Sequence, residues 1–71
     1  MLILYGTSAC HLCELAAGLL QQADLEFEEV DISESDALFE RYGVTIPVLR
    51  REDGVELNWP FDTASLSSFV G

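Results

Sequence analysis

The chain has 71 residues, 49% of them hydrophobic, and its 13 acidic and three basic residues give a formal net charge of −10. We expect residues 1–71 to form a single folded domain, because so short a chain leaves no room for a second core. The charge repels phosphate backbones and anionic lipids, which argues against nucleic-acid and membrane partners. No basic segment precedes an apolar one near Met1, so we expect a cytoplasmic protein.

The first predicted elements are a strand and a helix. Residues 2–5 form a continuous apolar run, typical of a strand buried on both faces, which ends at Gly6. Apolar residues then recur at helical spacing over residues 12–23. This pattern predicts a helix that places Cys10 at its N-terminus and Cys13 one turn further in.

A second strand and a short helix follow. Residues 25–32 predict a strand with a bulge or a late start, and their acidic side chains suit the edge of a sheet. Ser33 matches a capping pattern and is the predicted N-cap of a helix that ends at Gly43. Three residues of that helix are expected to face the core: Leu38, Phe39 and Tyr42.

The last part of the chain predicts a hairpin and a third helix. Asp53-Gly54 stands between two strand-like runs, which is a strong hairpin signal. We expect Arg50 and Arg51 on this hairpin only to keep it solvated, and Asp62 to cap the last helix. The order βαβαββα predicts an α/β fold with a four-stranded mixed sheet flanked by helices.

The two cysteines, Cys10 and Cys13, have the spacing C-x-x-C, which random placement gives in about 3% of cases. A structural disulfide closing so short a loop adds little stability. A zinc site needs about four ligands, and only His11 stands beside the cysteines, so a metal would need a second chain. A redox pair needs only the two thiols, and we predict no resident metal.

The predicted helix gives the two cysteines different roles. A helix N-terminus lowers the pKa of a thiol, and a neighbouring cation adds to this effect, so Cys10 is the predicted nucleophile. His11 either tunes Cys10 or is an exposed turn residue, and the sequence leaves both readings open. Cys13 lies toward the packed side of the helix and is the predicted resolving thiol.

Two segments resemble a known family. YGTSACHLC at residues 5–13, followed by GVTIPVL at residues 43–49, resembles the thioredoxin superfamily in its glutaredoxin-like branch. The WPFD segment at residues 59–62 is similar to a small group of glutaredoxin-like proteins of this length. The resemblance implies a thioredoxin/glutaredoxin-like fold and thiol-disulfide exchange through Cys10 and Cys13.

The resemblance also implies a substrate site. Pro47 matches the cis-proline of the family, and the backbone of Ile46 matches the segment that pairs with a bound peptide or glutathione. The lysine that often precedes the family motif is replaced here by Thr7 and Ser8, so the resemblance supports the redox chemistry better than it supports glutathione. Four further residues are candidates for substrate binding: Ser8, Thr45, Trp59 and Asp62.

The sequence therefore predicts a thiol-disulfide oxidoreductase or electron carrier with no bound cofactor. Its partner is a disulfide-containing protein or glutathione acting as a co-substrate, and its size suggests a monomer. Two alternatives stay open: a redox-inactive module that docks a partner, and a dimer that holds a metal or an iron–sulfur cluster. Phe61 is expected in the core, whereas Trp59 either lines a substrate groove or covers the core.

Overall fold

The computed structural model describes all residues from Met1 to Gly71. Four strands and three α-helices follow in the predicted order. Their bounds are β1 Leu2–Gly6, α1 His11–Gln22, β2 Phe27–Asp31, α2 Asp36–Tyr42, β3 Val48–Arg50, β4 Glu56–Asn58 and α3 Thr63–Val70. A short 3₁₀ turn, Ile32–Glu34, joins β2 to α2.

The four strands form one mixed sheet in the order β2-β1-β3-β4. Strands β1 and β2 are parallel, whereas β3 is antiparallel to both β1 and β4. The acidic strand β2 lies at the edge, as the sequence predicts, and it has the late start that was one of the two expectations, since it begins at Phe27 and ends at Asp31. The Leu25 N–H donates to Leu20 O at 3.1 Å, so Leu25 closes the end of α1 instead of joining the sheet.

Helix α1 turns a different face to the sheet than its apolar spacing suggests. Its buried residues are Cys13, Ala16 and Leu20. Leu12 and Leu15, which belong to the apolar stripe, are 44% and 46% exposed. The sulfur-bearing side chain of Cys13 therefore takes a core position, and the stripe of leucines is rotated partly toward solvent.

Side chains alternate between the two faces of the sheet, and each face has its own core. The larger core joins the sheet to α1 and α3 through seven buried residues: Leu4, Ala16, Leu20, Leu49, Phe61, Leu66 and Phe69. The smaller core, under α2, consists of Tyr5, Ile32, Tyr42 and Val48. The predicted core position of Phe61 is confirmed.

Helix α2 is held on the sheet by Tyr42. Its ring stacks on the Tyr5 ring at a centroid distance of 4.5 Å, and its hydroxyl donates to the Glu56 carboxylate. Burial, with a smaller contribution from Glu56, raises the pKa of Tyr42. Phe39 was predicted to face inward, but it is 55% exposed because α2 is only two turns long and already covers the sheet with Tyr42.

The helix caps follow the predicted residue types, although one cap lies two residues later than predicted. Ser35, not Ser33, caps α2 and accepts from the Leu38 N–H. The Asp31 carboxylate accepts hydrogen bonds from the N–H and the hydroxyl of Ser33, because the chain forms the 3₁₀ turn before α2 begins. In the hairpin, Gly54 has φ +89°, a conformation that glycine adopts without steric cost.

Arg51 does more than solvate the hairpin, which corrects the sequence-based expectation. Its guanidinium makes two hydrogen bonds to the Asp53 carboxylate and one of 2.6 Å to the Phe69 carbonyl, and lies 4.9 Å from the Phe69 ring centroid. Arg51 thereby ties the β3–β4 hairpin to the C-terminal end of α3.

None of the three helices is long and apolar enough to cross a membrane.

Candidate active site

The chain segments that carry the predicted site meet at one edge of the sheet, the edge formed by the ends of β1 and β2 and the start of β3. Gly6 at the end of β1 is paired with Asp31 at the end of β2. On the other side of β1, Tyr5 pairs with Val48, so Pro47 follows at the same edge as Gly6. Helix α1 begins a short turn after Gly6, which brings the cysteine pair to this edge.

Cys10 and Cys13 occupy the first turn of α1 and form a disulfide, with 5.2 Å between their Cα atoms. Cys10 is the N-cap of the helix, and its sulfur accepts a hydrogen bond of 3.1 Å from the Cys13 N–H. Cys10 is half-buried, whereas Cys13 is only 7% exposed. The geometry gives Cys10 the accessible sulfur at a helix N-terminus, where negative charge is stabilised.

Gly6 is a site residue that the sequence analysis did not single out. It is buried at the end of β1, directly against Cys13. A Cβ atom at this position would lie 2.9 Å from the Cys13 sulfur and 3.1 Å from the Cys13 Cβ atom. Glycine before a cysteine motif is a weak signal in a sequence, because nothing there shows which side chain approaches it.

The segment before β3 lies beside this edge and is internally bonded. The Ile46–Pro47 peptide bond is cis, and Pro47 is buried. The Ile46 N–H donates to the Tyr42 carbonyl at 3.1 Å, and the Thr45 hydroxyl donates to the same oxygen at 3.3 Å. No hydrogen bond within the chain ends on the Ile46 carbonyl.

The Trp59 loop is joined to Pro47. The Trp59 N–H donates to the Pro47 carbonyl at 3.3 Å, and the Trp59 ring packs edge-on against Phe61 at 5.1 Å. Trp59 is half-buried and packs against the larger core. It therefore covers part of the core while its backbone stays beside Pro47.

Asp62 is the N-cap of α3. Its carboxylate accepts from the Ser65 N–H at 2.8 Å, and this hydrogen bond holds the pKa of Asp62 below its ordinary value. The structure thus confirms the predicted cap.

His11 and Ser8 are exposed on either side of Cys10. The His11 Nδ1 atom lies 3.7 Å from the Glu14 carboxylate, and the two side chains are 80% and 73% exposed. Any positive charge on His11 would lie beside the Glu14 carboxylate and be screened by water.

A cleft of about 500 Å³ opens between α1 and β2, with Cys13 and Gly6 on its wall. Its rim carries three carboxylates, which belong to Glu14, Glu29 and Asp31. The hydrogen bonds from Ser33 lower the pKa of Asp31. No three His, Cys, Asp or Glu side chains are grouped so that they could hold a metal ion.

This geometry agrees with the comparisons to known proteins. The family model described as a glutaredoxin-like domain (DUF836) matches residues 1–71. The chain belongs to this glutaredoxin-like family. Its fold is the thioredoxin-like α/β fold that the sequence predicts.

Solved structures of similar proteins support the assignment. The crystal structure of the protein XcR50 from X. campestris is 42% identical, with a TM-score of 0.93, over 99% of this chain and 95% of that one. The protein Ne2328 from Nitrosomonas europaea is 27% identical, with a TM-score of 0.75, over 96% of this chain and 87% of that one. A variant of the thioredoxin-like protein BC3987 is 18% identical, with a TM-score of 0.74 over the whole of both chains, and shows the fold alone. Among curated protein sequences none matches this chain.

Proposed function

We propose that this protein is a thiol-disulfide oxidoreductase in which Cys10 is the nucleophile and Cys13 the resolving thiol. The observation that carries the proposal is the asymmetry of the pair. Cys10 caps α1, is half-buried and accepts a hydrogen bond from the Cys13 N–H, whereas Cys13 is buried against β1. The more accessible, helix-capping sulfur of Cys10 is therefore the one that meets a substrate, and the buried sulfur of Cys13 is within bonding distance of it.

The reaction follows from these positions. The Cys10 thiolate attacks one sulfur of a substrate disulfide, whose other sulfur leaves as a thiolate and takes up a proton. Cys13 then loses its proton and attacks the Cys10 sulfur, which breaks the mixed disulfide and releases the second substrate thiol. The protein gives up two electrons and ends with the Cys10–Cys13 disulfide, and a dithiol reductant reverses the sequence.

The Cys13 amide and the helix terminus stabilise negative charge on Cys10. The N–H group that bonds the Cys10 sulfur in the disulfide can bond the thiolate as well, since a charged acceptor strengthens such a bond. We expect this contact, together with the first turn of α1, to lower the pKa of Cys10 below that of a free thiol.

The substrate would dock beside Pro47. The Ile46 carbonyl has no partner within the chain, whereas the Ile46 N–H is bonded to Tyr42. A substrate backbone would therefore donate an N–H group to Ile46 and find no donor there in return. We propose Thr45, Ser8, Trp59 and Asp62 as the contacts of the flanking groups of the substrate.

The charge of the protein favours one kind of substrate over the other. Glutathione carries two carboxylates, and the chain has no lysine and a net charge of −10. Long-range repulsion therefore slows the approach of glutathione, whose net charge is negative, and long-range attraction speeds that of a basic protein. We propose a disulfide-containing protein as the main partner, with glutathione as the weaker co-substrate.

The roles of the cysteines are tested by trapping. Cys13→Ser should accumulate a mixed disulfide between Cys10 and a substrate, because the resolving thiol is gone. Cys10→Ser should form no mixed disulfide and lose thiol-disulfide exchange, although one cysteine remains in each variant. Mass spectra after an acid quench distinguish the two variants, and a Cys10→Ser protein with full exchange activity would disprove the assignment.

A further inference from the structure

Gly6 lies in close contact with the side chain of Cys13. Gly6 is buried at the last position of β1, and a Cβ atom there would stand 2.9 Å from the Cys13 sulfur. That distance is far below an ordinary van der Waals contact, so one of the two atoms would have to move.

The backbone itself would accept a side chain at this position. The φ angle of Gly6 lies outside the left-handed region, unlike that of Gly54. Apart from its chain neighbours, the only residue with heavy atoms within 4 Å of a Cβ atom at position 6 is Cys13. The obstacle to a larger residue is therefore the side chain of Cys13.

We propose that Gly6 is a positioning residue for the redox reaction. By having no side chain, it leaves the space that the Cys13 sulfur occupies when it is bonded to Cys10. The inference rests on the proposed function, in which Cys13 resolves the mixed disulfide. It adds that the position of the Cys13 sulfur, and hence the stability of the disulfide, is controlled from β1.

The direction of the effect follows from the freedom of Cys13. In the disulfide, its sulfur is fixed by the covalent bond to Cys10 and cannot rotate away from position 6. In the dithiol, the Cys13 side chain is free to adopt another rotamer and turn toward the cleft between α1 and β2. A methyl group at position 6 therefore penalises the disulfide more than the dithiol.

The experiment is an equilibrium with dithiothreitol, which does not depend on any substrate protein. Dithiothreitol passes two electrons and two protons to the disulfide and becomes a cyclic disulfide, while Cys10 and Cys13 become thiols. Gly6→Ala should favour reduction by about tenfold, in the range that overpacking produces. This corresponds to a rise of about 30 mV in reduction potential.

The matched control is Gly18→Ala in α1. A Cβ atom at Gly18 would meet nothing within 4 Å, so this variant adds the same methyl group without touching Cys13. It should leave the equilibrium with dithiothreitol unchanged. A Gly6→Ala protein with the potential of the wild type would overturn the inference, and so would an equal shift in Gly18→Ala.

A second comparison covers the case in which Gly6→Ala folds poorly. In a Cys13→Ala background the 2.9 Å contact with the sulfur is absent, whereas the contact with the Cβ atom, which is also tight at 3.1 Å, remains. Gly6→Ala should then cost less stability than in the wild type by the share that the sulfur contributes, as a double-mutant cycle on urea unfolding would show. An equal cost in both backgrounds would refute the contact with the sulfur.

Failure of the proposed function would look different. If the wild-type protein exchanges with no protein disulfide and no glutathione, yet Gly6→Ala still shifts the dithiothreitol equilibrium, the inference stands and the function does not. If the wild type turns over normally and Gly6→Ala has no effect on the potential, the function stands and the inference falls.

Discussion

The orientation of α1 decides which cysteine is buried, and it can be tested with two leucines of the same helix. Leu20 is fully buried in the larger core, whereas Leu15 is 46% exposed. Leu20→Ala should lower the free energy of unfolding by about 3–4 kcal/mol, because it removes a buried side chain and leaves a cavity. Leu15→Ala should cost about 1 kcal/mol, since only half of its side chain leaves water on folding.

These costs are large for so small a protein. A domain of this length has a total stability of about 4–11 kcal/mol, so Leu20→Ala removes a large share of it. The assay is urea unfolding followed by far-ultraviolet circular dichroism, with the cysteines oxidised in both variants. With a slope near 1 kcal/mol per molar urea, the two midpoints should differ by about 2–3 M.

The comparison also decides between the structure and the apolar spacing. The spacing alone includes both Leu15 and Leu20 in the apolar stripe of the helix, which would make the two substitutions similarly costly. Equal costs would refute the observed orientation of α1. They would also remove the reason for treating Cys13 as the buried, resolving thiol.

Three further predictions concern Arg51, the acid limit of stability and His11. Arg51→Ala should lower the melting temperature by several degrees more than Arg41→Ala does, because Arg51 bonds Asp53 and the Phe69 carbonyl. Arg41 is an exposed residue of α2 whose guanidinium lies 5.3 Å from the Tyr42 ring centroid. Equal melting temperatures in thermal scans would contradict this role of Arg51. The hydrogen bonds from Arg51 hold the pKa of Asp53 below its ordinary value of 3.8. Their stabilising effect on the folded protein is therefore present above pH 3.8 and is lost as the pH falls through the lower pKa of the folded state. Asp53→Asn should therefore lose less stability than the wild type between pH 5 and the acid limit, as urea midpoints at each pH would show, and parallel losses would argue against the linkage. His11→Ala should change the pKa of Cys10 by less than about 0.7 unit, because His11 is exposed beside Glu14. The rate of Cys10 alkylation as a function of pH measures this pKa, and a larger shift would show that His11 tunes Cys10.

Much of the fold can be predicted from local sequence patterns. The first strand, the Asp53-Gly54 turn and the cap at Asp62 each depend on a few neighbouring residues, and the structure confirms all three. The cysteine pair at the start of α1 is likewise predicted, because the helix is evident from its apolar spacing.

The remaining differences come from tertiary contacts. Ser33 and Ser35 both suit an N-cap, and only the 3₁₀ turn held by Asp31 decides in favour of Ser35. Leu12 and Leu15 are exposed because Cys13 takes the inward position against β1. The cap of α2 and the buried face of α1 depend on tertiary contacts, which a local sequence pattern does not predict.

The candidate site shows the same division. The sequence identifies Cys10 and Cys13 as candidates by their residue type and spacing, and Pro47 through the resemblance to the family. It does not identify Gly6, whose importance is the absence of a side chain where the Cys13 sulfur packs. The link between Trp59 and Pro47 is a backbone hydrogen bond, which any residue at position 59 except proline could make.

The central claim, a reversible redox pair made by Cys10 and Cys13, is tested most directly by titration in a glutathione redox buffer. Mass spectra of acid-quenched samples would count the dithiol, the disulfide and any glutathione adduct at each ratio. We expect one reversible transition between dithiol and disulfide, with an adduct on Cys10 in Cys13→Ser. A pair that stays reduced or oxidised at every ratio, with no adduct in Cys13→Ser, would contradict the account.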